Sequence, residues 1–467
     1  MSKIIFAVPP NKSSKGYATA TQNRQYQYFK DPTFVYPMIP ALFITMIMTE
    51  PGHNVMWVDS IAEELTELEF AKVIVDMKPD YIVMEANTML INNYYQYIND
   101  IKVNLPTIKI ILAGEHVTAL SDEPKTKCQI DYVLQGGKWF YEAFKICTGK
   151  DWPDEKLLPH IDRNLSRWWL YAYKNGNFKY IPATYMIAAQ DCWYRPTQPC
   201  TFCSWVKYHP ENKVRPVDDY LQEVEEIINF GFKEFFDDSG TFPVGPWLKE
   251  FCNEMIERDY IKHIVWGCNM RFGALQPEDF KLMSKAGCRF ILWGFESANQ
   301  STLDRLCKGT NTQRISQDLI AARMAGIWNH LTVMFGYPWE TLEDEKRTYN
   351  MTRWLLLNDW ASSAQATICM PYPGTKLYDE CKENGWLLNE DWTKWDMTQP
   401  VIRLQYDFKE ILKMQKGIYD IAFHPKFILN KLSKIRSLDD LRFYFRLGKK
   451  IVDRFGNLID DKQVSIN

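Results

Sequence analysis

The 467-residue chain has little excess of either charge: its formal net charge is −3, with both signs interspersed. No basic patch points to nucleic acid as its main partner. It also has no long hydrophobic run. The longest, 38–48, contains Pro40 and is too short to cross a bilayer, and residues 3–10 have the pattern of a strand rather than a signal peptide. No internal repeat, low-complexity segment or second C-x2-C pair is present. The eleven cysteines are odd in number and scattered, which argues against a secreted disulfide framework and implies reduced thiols in a cytoplasmic setting. What remains is a chain too long for one ordinary core and suited to two large domains plus a tail. Aromatic residues make up 15% of it, which fits either pockets for planar ligands or an aromatic-rich core.

Against that background three thiols stand out. Cys192, Cys200 and Cys203 form C-x7-C-x2-C directly after the apolar stretch 185–189. Three thiolates hold three irons of a [4Fe–4S] cluster and leave the fourth iron open, whereas an electron-carrying cluster usually takes four cysteines. Pro196 and Pro199 prevent a helix between the first two thiols, so the loop can fold back on itself. A structural zinc site is the alternative, with His209 as the one nearby fourth ligand.

Residues 1–150 alternate short β-rich runs (3–8, 54–59, 81–85, 109–113, 131–134) with helical patterns (38–50, 61–77, 91–103, 139–148). Such alternation predicts a parallel sheet with helices on both faces and ligands beyond the carboxyl ends of the strands. The groups there are Pro9-Pro10, Ala86-Asn87-Thr88, Gly114 to Thr118 with His116, and Gly136-Gly137. Glycines at these ends would let a ligand approach the backbone. An ordered linker, 151–182, follows.

Six further strand–helix units are expected over 183–388, with strands at 185–189, 234–237, 264–269, 290–295, 331–335 and 365–370. They suggest a partial (β/α)6 barrel of the TIM type, with its site at the carboxyl ends of the strands. The cysteine loop, Asp237-Asp238-Ser239, Asn269 and Arg271, Glu296-Ser297, Gly336-Tyr337-Pro338 and Pro371 to Gly374 all fall at those ends.

The text of the second half resembles the radical S-adenosylmethionine superfamily, in the branch with an N-terminal Rossmann-like (flavodoxin-like) cobalamin-binding domain. The matching phrases are Phe236-Asp-Asp-Ser-Gly-Thr-Phe242, Asn269-Met-Arg271, Ala286 to Ser297, Ser301-Thr-Leu-Asp304, Lys308-Gly-Thr310, Ala325-Gly-Ile327, Phe335 to Glu340 and Pro371-Tyr-Pro-Gly-Thr375. In the first half Pro9-Pro10, Gly52-His53, Ala113 to Leu120 and Asp131 to Gly136 match. The chain departs from the family in three places. Its first cysteine gap is four residues longer than the usual C-x3-C, Gly136-Gly137-Lys138-Trp139 replaces G-E-G-E, and D-x-H-x-x-G is absent.

The resemblance implies a role for each matched residue. Cys192, Cys200 and Cys203 would bind the cluster, and S-adenosylmethionine would chelate its open iron. Phe202 would pack on the adenine, Glu296 would accept from the ribose hydroxyls, Arg271 would pair with the methionine carboxylate, and Gly336 would admit the adenosyl group. Tyr337, Tyr372 and Asp238 would face the substrate as catalytic candidates. Pro10, Thr88, Gly114, His116, Gly136 and Gly137 would contact cobalamin. The implied activity is methylation of an unactivated carbon, with cyclisation or cross-linking as the alternative and a non-enzymatic carrier as a third reading. The substrate would be a small molecule, a lipid or a peptide or protein residue. A flavodoxin- or ferredoxin-type protein would supply the electron. The tail, 389–467, is helical and basic in patches, and it resembles the caps that close such barrels.

Overall fold

The computed structural model describes residues 2–13, 15–18, 28, 35–155, 158–175, 177–194, 199–209 and 212–460, without the side chains of residue 206 and of 450–460. Pro196 and residues 461–467 of the tail lie outside the described residues. The chain divides into two compact units: one of Met1–Lys174, Phe202–Asn212 and Met370–Val401, the other of Asn175–Thr201, Lys213–Cys369 and Ile402–Asn467.

In the first unit, β1 (Lys3–Val8) is followed by a short antiparallel pair, β2 (Lys12–Ser13) and β3 (Gly16–Tyr17), and then by β4 (Asn54–Asp59), β5 (Tyr81–Glu85), β6 (Lys109–Ala113) and β7 (Tyr132–Val133). The main sheet is parallel throughout, in the order β4-β1-β5-β6-β7. Counting its five strands alone, this is 2-1-3-4-5, the flavodoxin-like order, whose direction of winding reverses between β1 and β5. Helices cover both faces of such a sheet, so its strands are apolar runs: Ile4 to Val8 of β1 are all buried. Helix Met38–Thr49 is apolar all round and buried from Met38 to Ile47. Its Pro40 falls in the first turn, where no helical hydrogen bond is lost. The helix expected from 61 begins at Glu67, because Thr66 and Glu69 form a reciprocal cap that fixes the start there.

The second unit adds β8 (Ala183–Met186), β9 (Glu234–Asp237), β10 (Val265–Met270), β11 (Cys288–Glu296), β12 (Trp328–Phe335) and β13 (Ser363–Ile368). They lie in chain order in one parallel sheet. This is the partial barrel expected from the strand–helix alternation. Beneath its mouth the aromatic residues pack on one another: Trp293 stacks on Phe272 at 4.6 Å, and Phe242, Phe251 and Trp266 are in mutual contact. Much of the aromatic content is therefore core. The open edge of β13 is sealed by helix Phe408–Asp420, whose Tyr419 hydroxyl and Gln415 amide reach the backbone of Ala366.

The last two helices do not lie at the mouth. Phe443 and Tyr444 of Leu438–Asp460 pack on Trp328, the first residue of β12, and Arg446 donates to the carbonyl of Lys179, upstream of β8. They therefore run along the amino ends of the strands.

At this amino end a buried ion pair organises the start of the sheet. Glu234 accepts from Arg289 Nε at 2.9 Å and from the Lys179 and Tyr180 amides, each at 2.9 Å. Removing one member of a buried pair leaves the other charged and unpaired, at a cost of about 3–5 kcal/mol. Glu234→Gln is expected to lose stability of about that size in denaturant unfolding, and an unchanged midpoint would remove the pair from this role.

Candidate active site

The second unit brings its candidate residues to one edge because every strand of a parallel sheet ends on the same side. Asp237, at the end of β9, is fully buried. It accepts from the Ala188 amide at 2.7 Å, the Tyr220 hydroxyl at 2.8 Å and the Ser239 amide at 3.0 Å. Burial pushes its carboxyl up to about 6 against these donors. Ser239 Oγ in turn accepts from the Ala189 amide at 2.9 Å. Asp237 is thus a scaffold that fixes the exit of β8. Asp238, also buried, is the acid that meets Asn269, whose amide nitrogen is 3.4 Å from Asp238 Oδ1 and 2.8 Å from the Ser239 carbonyl.

From that exit the chain enters the cysteine loop. Cys192 forms a parallel bridge with Thr241, its Sγ 3.2 Å from Thr241 Oγ1, and Trp193 Nε1 donates to the Phe242 carbonyl at 2.8 Å. The Arg271 guanidinium lies 3.6 Å from the Tyr194 ring centroid, a cation–π contact. It also donates to the carbonyls of Lys308 at 2.6 Å and Gly309 at 3.2 Å. Cys200 Sγ lies 3.9 Å from the Cys307 carbonyl. Burial raises its thiol, and Lys308 and Arg271 oppose that rise. Thiolate is the form that ligates iron, so these cations favour the ligand.

Glu296 occupies a special position. The pairing of β11 with β12 shifts register between Gly294 and Glu296, and Glu296 has φ 61°. Such irregularities re-aim side chains and cluster at functional sites. Its carboxylate pairs with Lys308 Nζ at 2.9 Å, both groups nearly enclosed. Cys200, Arg271 and Glu296 are therefore assembled around residues 307–309, and Cys192 lies close enough to Cys200 and Arg271 to interact with their charges. Lys308, Tyr194 and Cys307 join them without having been assigned a role from the sequence. The signal for Lys308 was its place in the matching phrase Lys308-Gly-Thr310.

Other expectations fall elsewhere. Phe202 and Cys203 are half-buried and belong to the stretch grouped with the first unit. Among the described residues no three His, Cys, Asp or Glu side chains converge in a metal-binding group. His209, the zinc alternative, packs its ring on Trp205 and fills the space where a Gly137 side chain would stand. Tyr337 is wholly buried, its ring stacked on Trp339 and its hydroxyl without a hydrogen-bond partner. Tyr372 belongs to the first unit, where it donates to the Trp395 carbonyl at 3.3 Å. Gly336 has φ 90°, and a side chain there would press on Ile411.

In the first unit the strand ends are more filled than the glycines suggested. At Gly114, with φ 120°, a Cβ would collide with the Ala86 backbone. Gly136 lies beside the Tyr208 carbonyl. Both nitrogens of the buried His116 face protein: Nδ1 is 3.3 Å from Thr88 Oγ1 and Nε2 3.4 Å from Glu123, and its ring edge meets Trp392. The Pro10 carbonyl accepts from Tyr97 at 2.9 Å. Of the polar groups at the winding reversal, the sequence placed Asn87 at a strand end without giving it a role and did not single out Asn11. Asn87 is buried with both amide atoms unpartnered, and so is the side-chain oxygen of the buried Asn11.

Residues 186–352 match the model of the Radical SAM superfamily. An uncharacterized methyltransferase of Pyrococcus horikoshii is 24% identical over 483 aligned positions, covering 95% of this chain and 99% of the relative. An anaerobic magnesium-protoporphyrin IX monomethyl ester cyclase of Rubrivivax gelatinosus is 24% identical over 385 positions, covering 75% of this chain and 66% of the relative. The structure of the cobalamin-dependent S-adenosylmethionine radical enzyme OxsB superposes with a TM-score of 0.63 at 13% identity, over 97% of this chain and 72% of that one. Residues 186–352 thus carry the sequence pattern and the strand-end site of a radical S-adenosylmethionine domain. Over nearly its whole length the chain is similar to the Pyrococcus methyltransferase, and it shares the fold of the cobalamin-dependent enzyme OxsB.

A second buried acid pair lies behind the fifth strand end. Glu345 accepts from the Gly336 amide at 2.8 Å and from the Tyr406 hydroxyl, while Glu340 accepts from Ser297 Oγ at 2.8 Å and Asn299 Nδ2 at 3.0 Å. The remaining oxygen of each has no hydrogen-bond partner. Burial, then the charge of Glu340, pushes Glu345 from 4.5 up to about 8. Between those values the folded chain holds a proton that the unfolded chain has released, so stability falls as pH rises through the window. Asp237 adds the same sign below about 6. The melting temperature is expected to decline from pH 6 to pH 8, and Glu345→Gln to flatten that decline. An unaltered slope in the variant would show that Glu345 is not the group responsible.

Proposed function

We propose that the chain is a cobalamin-dependent radical S-adenosylmethionine methyltransferase that methylates an unactivated carbon of a small molecule, a lipid or a peptide or protein residue. The observation that carries this reading is the convergence of Cys192, Cys200, Arg271, Glu296 and Lys308 at the mouth of one sheet, in a chain whose other unit has a doubly wound sheet of the flavodoxin-like order. The Pyrococcus similarity over nearly the whole of both chains supports it.

When bound, the [4Fe–4S] cluster with S-adenosylmethionine supplies a carbon-centred radical, and cobalamin supplies the methyl group. Cys192, Cys200 and Cys203 would hold the cluster, and their donor set suits it because thiolates are its usual ligands. Arg271 and Lys308 place positive charge where a carboxylate would rest, and Glu296 offers an acceptor to hydroxyl groups. The pairing of Lys308 with Glu296 fixes both side chains before a ligand arrives, which lowers the ordering cost of binding. In the first unit the unpartnered amide of Asn87 and the free oxygen of Asn11 fit a cofactor whose rim carries amides, since each can exchange hydrogen bonds with them. Pro10, Thr88, Gly114, His116, Gly136 and Gly137 shape the same strand ends, with His116 held by its protein partners. Asp238, Tyr337 and Tyr372 are the candidates for contact with substrate. A flavodoxin- or ferredoxin-type carrier would deliver the electron.

The similarity to the Rubrivivax cyclase favours a second reading, ring closure without methyl transfer. The two differ in product mass: a gain of one CH2 with S-adenosylhomocysteine released supports methylation, and loss of hydrogen alone supports cyclisation. Anaerobic reconstitution with iron, sulfide and cobalamin tests the site itself. Cys200→Ala is expected to abolish the brown cluster absorbance and 5′-deoxyadenosine formation while cobalamin stays bound. Retention of the cluster in that variant would overturn the ligand assignment.

A further inference from the structure

The two helices at the amino end of the second sheet each leave apolar side chains facing outward. A surface helix normally turns its apolar stripe to the core and its charges to water. In Pro425–Leu432 the stripe at spacing i, i+3, i+4, i+7 is Pro425, Ile428, Leu429 and Leu432, and it faces outward, with Leu429 65% and Leu432 55% exposed. The inward side is the polar one. Asn430 donates to the Leu357 carbonyl at 3.2 Å, and Lys431 lies 3.7 Å from Asp359. Helix Leu438–Asp460 also turns apolar side chains outward, although Phe443 and Tyr444 pack inward on Trp328. Phe443 is buried and Asp440 pairs with Lys179 at 2.6 Å, while Leu438, Leu441 and Phe445, at spacing i, i+3, i+7, are 70%, 52% and 76% exposed.

The charge around these stripes has one sign. Between Pro425 and Lys450 eight Lys or Arg stand against two Asp, in a chain whose overall charge is −3. One of the two acids, Asp440, is consumed by Lys179. Lys426, Arg436, Arg442 and Lys449 are exposed beside the stripes. Leucine and phenylalanine on one face of a helix, flanked by lysine and arginine, suit the headgroup–acyl boundary of a bilayer. The basic residues add attraction for anionic lipid that decays within a Debye length. No described helix is long and apolar enough to cross a membrane, so attachment through these helices would be peripheral. They lie at the amino ends of the strands, opposite the cysteine loop, which leaves the mouth clear.

We infer that the outward face of Pro425–Leu432 and of Leu438–Asp460 docks the protein on an anionic lipid surface. The full chain, purified without oxygen, would be sedimented with vesicles of phosphatidylcholine and phosphatidylglycerol at 3:1, and with phosphatidylcholine alone. It is expected to bind the anionic vesicles and not the neutral ones, and to release them as salt is raised. The triple variant Leu438→Ser, Leu441→Ser, Phe445→Ser should weaken binding on the order of tenfold, and Arg436→Glu with Arg442→Glu should do the same. These side chains are exposed, so both variants should keep the parent's circular dichroism and cluster content. No binding to anionic vesicles overturns the inference, and so does binding that neither variant alters. A chain that self-associates without vesicles, and that the serine variant disperses, would assign the face to a second copy. Capture of an acidic protein in place of lipid would likewise overturn it.

Discussion

The contact on which the site depends is the enclosed ion pair between Glu296 and Lys308. Glu296 reaches it because β11 slips register against β12 at that point and the residue takes a left-handed backbone. A side chain in regular strand geometry would alternate with the ladder, and the slip frees it to turn into the mouth. Lys308 is brought there by the turn after helix Gln300–Arg305, and the same turn offers the carbonyls of 307, 308 and 309 to Cys200 and Arg271. One local irregularity and one turn thereby position the thiol, the guanidinium and the carboxylate together. The cations also act on the thiol, because in a partly enclosed site their charge is poorly screened by water.

Around that centre the structure spends many of its polar residues on scaffolding. Asp237 and Asp238 are neighbours in sequence with unlike work: the first clamps the exits of β8 and β9, and the second faces Asn269. Behind them Glu340 and Glu345 join the loop after β12 to helix Leu342–Leu357 and to Tyr406, which leads into the helix covering the β13 edge. Two acids buried this closely cannot both ionise without large cost, so a proton is part of the packing. In the first unit the half-buried Glu85 accepts from Tyr208 and Trp139, and desolvation still raises its carboxyl.

Several residues chosen for binding turn out to have packing duties that a linear reading does not distinguish. Gly114 admits the Ala86 backbone, Gly137 admits the His209 ring, and His116 is enclosed by Thr88, Glu123 and Trp392. A missing Cβ at a strand end is a requirement of close approach, and the approaching group here is protein. The tail shows the converse. It resembles the caps that close such barrels, yet helix Leu438–Asp460 packs at the amino ends of the strands and turns Leu438 and Leu441 to solvent.

The sequence by itself determined the strands and their direction. Apolar runs of four to nine residues alternating with helical periods admit a parallel sheet and little else, and parallel strands end on one side. That was enough to bring Cys192, Cys200, Arg271 and Glu296 to one edge. Helix starts set by a cap, such as Thr66 with Glu69, were also written in the text but escaped a reading based on periodicity. Tertiary structure alone decided which strand end meets which loop: that Lys308 closes on Glu296, that Tyr194 lies under Arg271, and that 370–401 packs with the first unit. Those contacts join residues tens of positions apart. Their partners are chosen by the twist of the sheet and the length of each crossover, which no local pattern of residues encodes.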